Sequence, residues 1–312
     1  MHMLPQSPKI VILLAAFNGA EHIAEQLESF AAQTHQNWEL IVSDDGSADR
    51  TVEIVREFAR SVPQRINIVE GPKRGFWQNF MSLVRRSQSC DADLFAFSDQ
   101  DDVWLSEKLE TATKWFVTGA SDVPRLYFTR TTLIDRDGKA AGLSPLFRRR
   151  PSFQNALVQN IGGGNTMVMN RTAALLLAQV PSNVTLISHD WWAYQVVTGA
   201  GGTAFYDPAP SLKYRQHERN LIGSNRGVRR RIARARAFAN QRVKFWNDIN
   251  IAMLNAIRGS LSQPALSVLD NFAAARRSFL PKRIVLLWRS GVYRQHLLET
   301  AGLYLGALIG LI

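Results

Sequence analysis

One cysteine, Cys90, in a chain of 312 residues excludes an internal disulfide and points to a reducing compartment. It precedes an apolar strand pattern, where a thiol is inert. Met1 to Lys9 carries no signal-peptide pattern. The uncharged run after Glu299 is 13 residues, short of the ~20 needed to cross a bilayer. The glycine run at 162–164 is not followed by Gly-Lys-Ser/Thr, so it is not a P-loop. Acidic residues are scarce in the back third. From Ala209 onward there are 18 Lys and Arg against 4 Asp and Glu, whereas residues 1–208 hold 19 against 22. The net charge of +11 is therefore a near-neutral body with a cationic tail, and such a tail favours an anionic partner.

An apolar fraction of 46% is ordinary for a globular protein, and the length suits one large α/β domain with an appendage. The first half alternates strand and helix patterns. Strands are expected at Lys9–Ala16, Trp38–Ser43, Arg65–Glu70 and from Asp93, with helices at Glu21–Thr34, around Val52, Val55 and Phe58, at Gly75–Ser87 and at Leu105–Phe116. That order predicts a Rossmann-like, mainly parallel sheet with helices on both faces. Further strands are expected at Arg125–Ile134, Thr166–Met169, Thr203–Tyr206 and Ser211–Tyr214, and Asp135–Gly138 is a turn. Residues 1–225 are expected to form the catalytic body and 226–312 a helical basic extension.

The chemistry concentrates where strands end. Leu94-Phe95-Ala96-Phe97 runs into Asp99, Asp101 and Asp102. Crowded carboxylates repel unless a cation is shared, and hard oxygen ligands suit Mg²⁺ or Mn²⁺ holding a diphosphate. The alternative is an acidic solvated loop with Asp102 or Ser106 capping the next helix. The second strand pattern ends in Asp44 and Asp45, and open α/β sheets bind ligands at such carboxyl ends. Gly162, Gly163 and Gly164 either let backbone pass close to something bulky or form a flexible turn. His189-Asp190 opens a helix, as a cap or as a functional pair. Trp191 and Trp192 follow it, with faces suited to a sugar ring or to the core. Tyr214-Arg215-Gln216-His217 places an Arg and a His where carboxylates and a diphosphate would attract them.

Beyond Val228 the pattern is helical and basic, with Arg229, Arg230, Arg231, Arg234 and Arg236 interleaved with apolar residues, then a second helical pattern from Phe245 to Leu254. Residues 283–312 suit an interfacial anchor on an anionic membrane, with Trp288 and Tyr304 at the boundary. A helical hairpin docked on the body, or one that forms a homodimer, is the alternative.

AAFNGAEHIAEQLES, VSDDGSAD, FSDQDDVWLSEKL, HDWW and YRQH, in that order and spacing, resemble family 2 glycosyltransferases, and most of all bacterial rhamnosyltransferases of surface polysaccharides. The resemblance spans about residues 8 to 225. It implies a GT-A fold and inverting transfer from a nucleotide-sugar, dTDP-L-rhamnose first, with UDP- and GDP-sugars as alternatives. The acceptor it implies is a lipid-linked glycan or polysaccharide at the inner face of the cytoplasmic membrane. Carried onto this chain, it puts Ala15, Phe17 and Asn18 along the nucleotide, Asp44 on the base with Asp45 nearby, and Asp99 near the ribose. Asp101 would bind the metal, Asp190 would be the base, and His217 would assist the metal or diphosphate. Many relatives have Glu-Asp where this chain has His189-Asp190, which leaves the role of His189 open. Two rivals are a nucleic-acid-binding protein acting through the arginine-rich tail and a nucleotidyltransferase. The carboxylate-rich body speaks against the first. Phe17-Asn18-Gly19-Ala20 lacks the glycine-rich loop of the second.

Overall fold

The computed structural model describes residues 3–181, 185–216 and 229–310, with 229–241 as backbone only. Strand and helix alternate through the front of the chain: Ile10–Ala16 (β1), Ile23–Ala31 (α1), Trp38–Asp44 (β2), Thr51–Ser61 (α2), Ile66–Glu70 (β3), Phe76–Ser87 (α3) and Leu94–Ser98 (β4). Val103–Trp104 (β5), Lys108–Val117 (α4), Arg125–Ile134 (β6) and Ala140–Leu143 (β7) follow. Next come Phe153–Ala156 (α5), Val168–Asn170 (β8), Arg171–Leu177 (α6), His189–Gly199 (α7) and Thr203–Arg215 (β9). The chain closes with Arg229–Ala256 (α8), Gln263–Arg277 (α9), Lys282–Ser290 (α10) and Leu297–Leu308 (α11).

Among the described residues, nine strands form one mixed sheet in the order β3-β2-β1-β4-β8-β6-β9-β5, with β7 paired to β6. β1, β2, β3 and β4 are mutually parallel, and β8 joins β4 antiparallel. The order reverses between β1 and β4, and open α/β sheets bind their ligands at the carboxyl ends of strands at such a switch point. Alternate residues of the central strands enter opposite cores, because both sheet faces are covered. Ile10, Ile12, Leu14, Leu94 and Ala96 pack with α1 and α4 on one side. Val11, Leu13, Phe95 and Phe97 pack with α3, α6 and α7 on the other.

Three local expectations change. The helix expected from Leu105 starts at Lys108, because Val103 and Trp104 pair with Lys213 and Leu212 of β9. The two short strands expected after residue 202 are one strand, β9, which shifts register opposite Thr129 and Arg130. Pro208 and Pro210 supply no ladder donor there, and Asp207 Oδ1 accepts the Ala209 N–H at 2.9 Å instead. The basic and apolar helical patterns after Val228 are one 28-residue helix, α8. Its Met253 and Leu254 join the α3-side core together with Leu269, Phe272, Leu287, Leu303 and Ala307 from α9, α10 and α11. The inner faces of the C-terminal helices are thus docked on the body.

Candidate active site

The end of β1 is tied to the acidic loop after β4. The Phe17 N–H donates to Gln100 Oε1 at 2.8 Å, and Gln100 Nε2 donates back to the Phe17 carbonyl at 3.0 Å. Ala15, half-buried and paired with Ser43 of β2, and the exposed Phe17 lead into this clamp. Asn18 takes a left-handed backbone with φ 48°, which asparagine tolerates better than most residues. Its N–H donates to Ser47 Oγ at 2.9 Å, and its Oδ1 accepts from the Ala48 N–H at 2.8 Å. Ser47 Oγ in turn donates to Asp44 Oδ1 at 2.5 Å. Asp44 lines a hollow of about 390 Å³ with Gly46, Ser47, Val52, Ile68 and Lys73. Asp45 points the other way. It is buried and accepts the backbone N–H groups of Lys73 at 2.6 Å and Gly75 at 2.8 Å, so it pins the loop that starts α3.

Asp99, Asp101 and Asp102 occupy the next loop. Burial and the charges of Asp102, Asp101 and Asp190 push the Asp99 carboxyl well above the usual carboxylate range, and Lys108 pulls against that rise. Asp190 therefore lies within electrostatic reach of the same carboxylate as Asp101 and Asp102, although it stands on α7. Tyr214 of β9 sees all four acids, and burial and their charge hold its hydroxyl protonated. Asp102 is almost fully buried and is pushed up to about 7 by burial and by Asp101. It accepts from Asn165 Nδ2 at 2.5 Å and from the Arg215 N–H at 3.2 Å.

Lys108 lies 3.4 Å over the Trp104 ring and donates to the Asn165 carbonyl. Burial lowers its pKa well below the usual lysine value, against the pull of Asp102 and Asp99. One buried lysine faces several crowded carboxylates, so the donor set fits a divalent cation held by Asp101 together with Asp99, which was expected beside the ribose rather than on the metal. Among the described residues no three His, Cys, Asp or Glu side chains form a ready cage. Two carboxylates completed by substrate phosphates is a usual way to hold Mg²⁺.

Arg215 was expected to face a diphosphate, and it does not. At 3% exposure it clamps the acidic loop from behind. Its Nε donates to the Asp101 carbonyl at 3.1 Å, its Nη1 to the Arg136 carbonyl at 2.9 Å, and its Nη2 meets Glu25 at 2.5 Å. His217 lies outside the described residues, as do the side chains of Arg229 to Arg236.

Asp190 sits half-buried in the first turn of α7, where the helix dipole favours a negative charge. Its Oδ1 accepts the Trp191 N–H at 2.7 Å. Trp191 and Trp192 do not offer faces to a sugar. They are 7% and 2% exposed, Trp191 Nε1 donates to the Ala156 carbonyl at 2.7 Å, and Trp191 packs edge-on against Trp246. On a helix buried between β6 and the C-terminal helices, their apolar area goes to the core.

The glycines act by close approach within the protein. A Cβ on Gly164 would meet His189 Nε2 at 2.3 Å, and one on Gly162 would meet the Phe128 ring at 2.6 Å. Gly163 is exposed and lies against Asn165 Oδ1.

His189 stacks on Phe80 at 3.7 Å between ring centroids and meets Phe97 and Phe76 edge-on. Neither ring nitrogen has a hydrogen-bond partner, and burial lowers its pKa to about 4. An unfolded chain takes up the proton below about 6.5, and the folded protein only below about 4. Stability that is full at neutral pH is thus lost as pH falls through that window, on the order of 2 kcal/mol by about pH 5. His189→Phe keeps the stack and removes this term. Urea midpoints at neutral pH and at about pH 5 should move less in the variant than in the parent, and equal movement overturns the assignment.

Asn165, Lys108 and the clamp by Gln100 were not picked out from sequence. Lys108 lies in the quoted SEKL segment, but its burial depends on β5 pairing with β9.

A mixed sheet whose reversal point gathers carboxylates from two strand ends and from a facing helix start is the architecture of a GT-A glycosyltransferase. The model of glycosyl transferase family 2 matches residues 11–180, and the chain belongs to that family. It is 28% identical over 225 residues to the dTDP-rhamnosyl transferase RfbG of Shigella flexneri, covering 68% of this chain and 74% of the relative. Among solved structures it resembles the mannosyltransferase PcManGT from Pyrobaculum calidifontis, bound to GDP-Man and Mn²⁺, with a TM-score of 0.53 and 19% identity over 93% of this chain and 88% of that one. Residues 1–349 of S. aureus TarS with UDP-GlcNAc match at a TM-score of 0.53 and 15% identity, over 91% and 93%.

Proposed function

We propose that this glycosyltransferase moves L-rhamnose, with inversion, from dTDP-L-rhamnose to a lipid-linked or polysaccharide acceptor of a bacterial surface glycan. The proposed place is the inner face of the cytoplasmic membrane. The observation that carries the reading is that Asp101 and Asp190, from separate elements, both lie within electrostatic reach of Asp99, the half-buried carboxylate just after β4. The similarity to a dTDP-rhamnosyl transferase supports the donor, and the Mn²⁺-bound fold relative supports a divalent cation.

In this reading Ala15, Phe17, Asn18 and Asp44 bind the nucleotide, and Asp99 and Asp101 hold Mg²⁺ or Mn²⁺ against the diphosphate. A cation there supplies neutralisation of the leaving diphosphate. Asp190 takes the proton of the acceptor hydroxyl, which is otherwise a poor nucleophile. Gly163, on the exposed rim beside Asn165, leaves backbone room for the sugar, and residues 1–225 form the catalytic unit.

A thermal-shift screen of dTDP-, UDP- and GDP-sugars with and without Mn²⁺ tests the donor. A ligand at about a hundred times its Kd adds roughly 2.7 kcal/mol to stability. We expect dTDP-L-rhamnose with Mn²⁺ to give the largest rise in Tm. A larger rise with a UDP- or GDP-sugar would replace the donor, and no rise with any would overturn the reading.

A further inference from the structure

Helices α10 and α11 are locked together from the inside. Arg283 Nη1 donates to the Ala307 carbonyl at 2.9 Å, and the Tyr304 hydroxyl reaches the Leu287 carbonyl at 3.4 Å. Leu287, Leu303 and Ala307 are buried in the core. The outward face of α11 is apolar along its length. Leu298, Ala301, Gly302, Leu305, Leu308 and Ile309 recur there at helical spacing, with Leu298 88% and Leu305 62% exposed. The outward face of α10 carries Val285 and Trp288, the latter 73% exposed, between Lys282 and Arg289. A soluble monomer rarely leaves such a face to water.

The rim of this face is cationic. Lys282 and Arg289 flank it on α10. The exposed Arg148-Arg149-Arg150 loop reaches it from the body, because the Arg149 guanidinium sits 3.6 Å over Tyr293 and the Arg149 backbone N–H donates to Gln295 Oε1 at 3.0 Å. Glu299 is the single acidic residue of 278–310, and Arg294 pairs with it. A second copy of the chain, meeting this patch by two-fold symmetry, would bring one cationic rim against another. An anionic lipid surface complements both features: acyl chains for the apolar face, headgroups for the rim, and a tryptophan for the boundary. Among the described residues no helix is long and apolar enough to cross a membrane.

We propose that the outward faces of α10 and α11, with their arginine and lysine rim, seat the protein on an anionic bilayer without spanning it. The proposal rests on the reading that the acceptor is lipid-linked, and it assigns the surface that brings the site to it. The seat is joined to the site by a chain of hydrogen bonds. Asn155 Nδ2, in α5, donates to the Tyr293 carbonyl at 3.0 Å, and the Gln295 N–H donates to Gln159 Oε1 at 2.8 Å. The Ala156 carbonyl, also in α5, accepts from Trp191 and Gln195 of the helix that bears Asp190.

The test is co-sedimentation of the full chain with phosphatidylglycerol-rich and with pure phosphatidylcholine vesicles. The parent and a Leu298→Glu/Leu305→Glu double variant are compared, and light scattering is run in parallel. Both side chains are exposed, so the variant keeps the fold. Binding to the anionic vesicles should fall about tenfold or more in the variant and should weaken with salt. Unchanged binding overturns the proposal, and so does a parent dimer that ignores vesicles and splits in the variant. Donor-dependent thermal protection is read on the same samples. Its absence in both proteins, with vesicle binding kept by the parent and lost by the variant, would remove the transfer reading and leave the membrane seat standing.

Discussion

Asp190→Asn is expected to lower turnover by about a thousandfold or more, within the range that a positioned general base contributes, while nucleotide-sugar binding stays within about twofold. The substitution is nearly isosteric. The Trp191 N–H that donates to Asp190 Oδ1 keeps an oxygen acceptor, and because Ser188 is the helix cap, the substitution gives up only a modest helix-dipole contribution. The fold is therefore retained. One negative charge also disappears from those that press on Asp99, so the unliganded variant should be more resistant to heat than the parent. That pairing of lost turnover and gained stability marks a carboxylate kept for chemistry. Single-turnover kinetics, calorimetry with dTDP-L-rhamnose and thermal melts read the three quantities. A variant that still turns over at the parent's rate removes Asp190 as the base.

The second large effect concerns donor capture. Asp101→Asn should remove the Mn²⁺-dependent part of nucleotide binding and lower kcat/KM by at least about a thousandfold, because stabilisation of the departing diphosphate is lost. The variant again relieves repulsion on Asp99 and Asp102, so it should not unfold. Titration of dTDP with and without Mn²⁺ checks this directly. Equal affinity in both conditions for the parent, or an unchanged Mn²⁺ effect in the variant, would overturn the role. The two substitutions are told apart by binding: Asp190→Asn keeps it and Asp101→Asn loses it.

Much of the front half was legible, because local period and turn chemistry agree with the final packing there. β1, β2 and β4 are short apolar runs ended by Asn-Gly, Asp-Asp-Gly or Asp-rich turns, and their order alone implies the crevice. The misjudged places share one cause, namely partners distant in sequence. Leu105 read as the start of a helix until β9, paired with Val103 and Trp104, held the chain extended up to it. Trp191 and Trp192 could be read as a sugar platform, although core packing is the commoner fate of tryptophan, until β6 and α8 close over them. Arg215 read as a diphosphate ligand, yet the carbonyls of Asp101 and Arg136 satisfy it. α9 had a local sign, a Ser262 cap followed by Gln263-Pro264, which the basic character of the tail obscured.

Sequence alone determined the family, the strand ends that carry acids, and the charge division between body and tail, since these depend on residue type and short spacing. Only the tertiary structure decided which acids face one another. It turned Asp45 inward onto the backbone of Lys73 and Gly75, buried Asp102 with Asn165 and Lys108, and brought Asp190 from α7 to Asp99. It also divided α10 and α11 into an inner face within the core and an outer apolar face with a basic rim. Burial and electrostatic proximity are properties of packing across long sequence separations, and no local pattern encodes them.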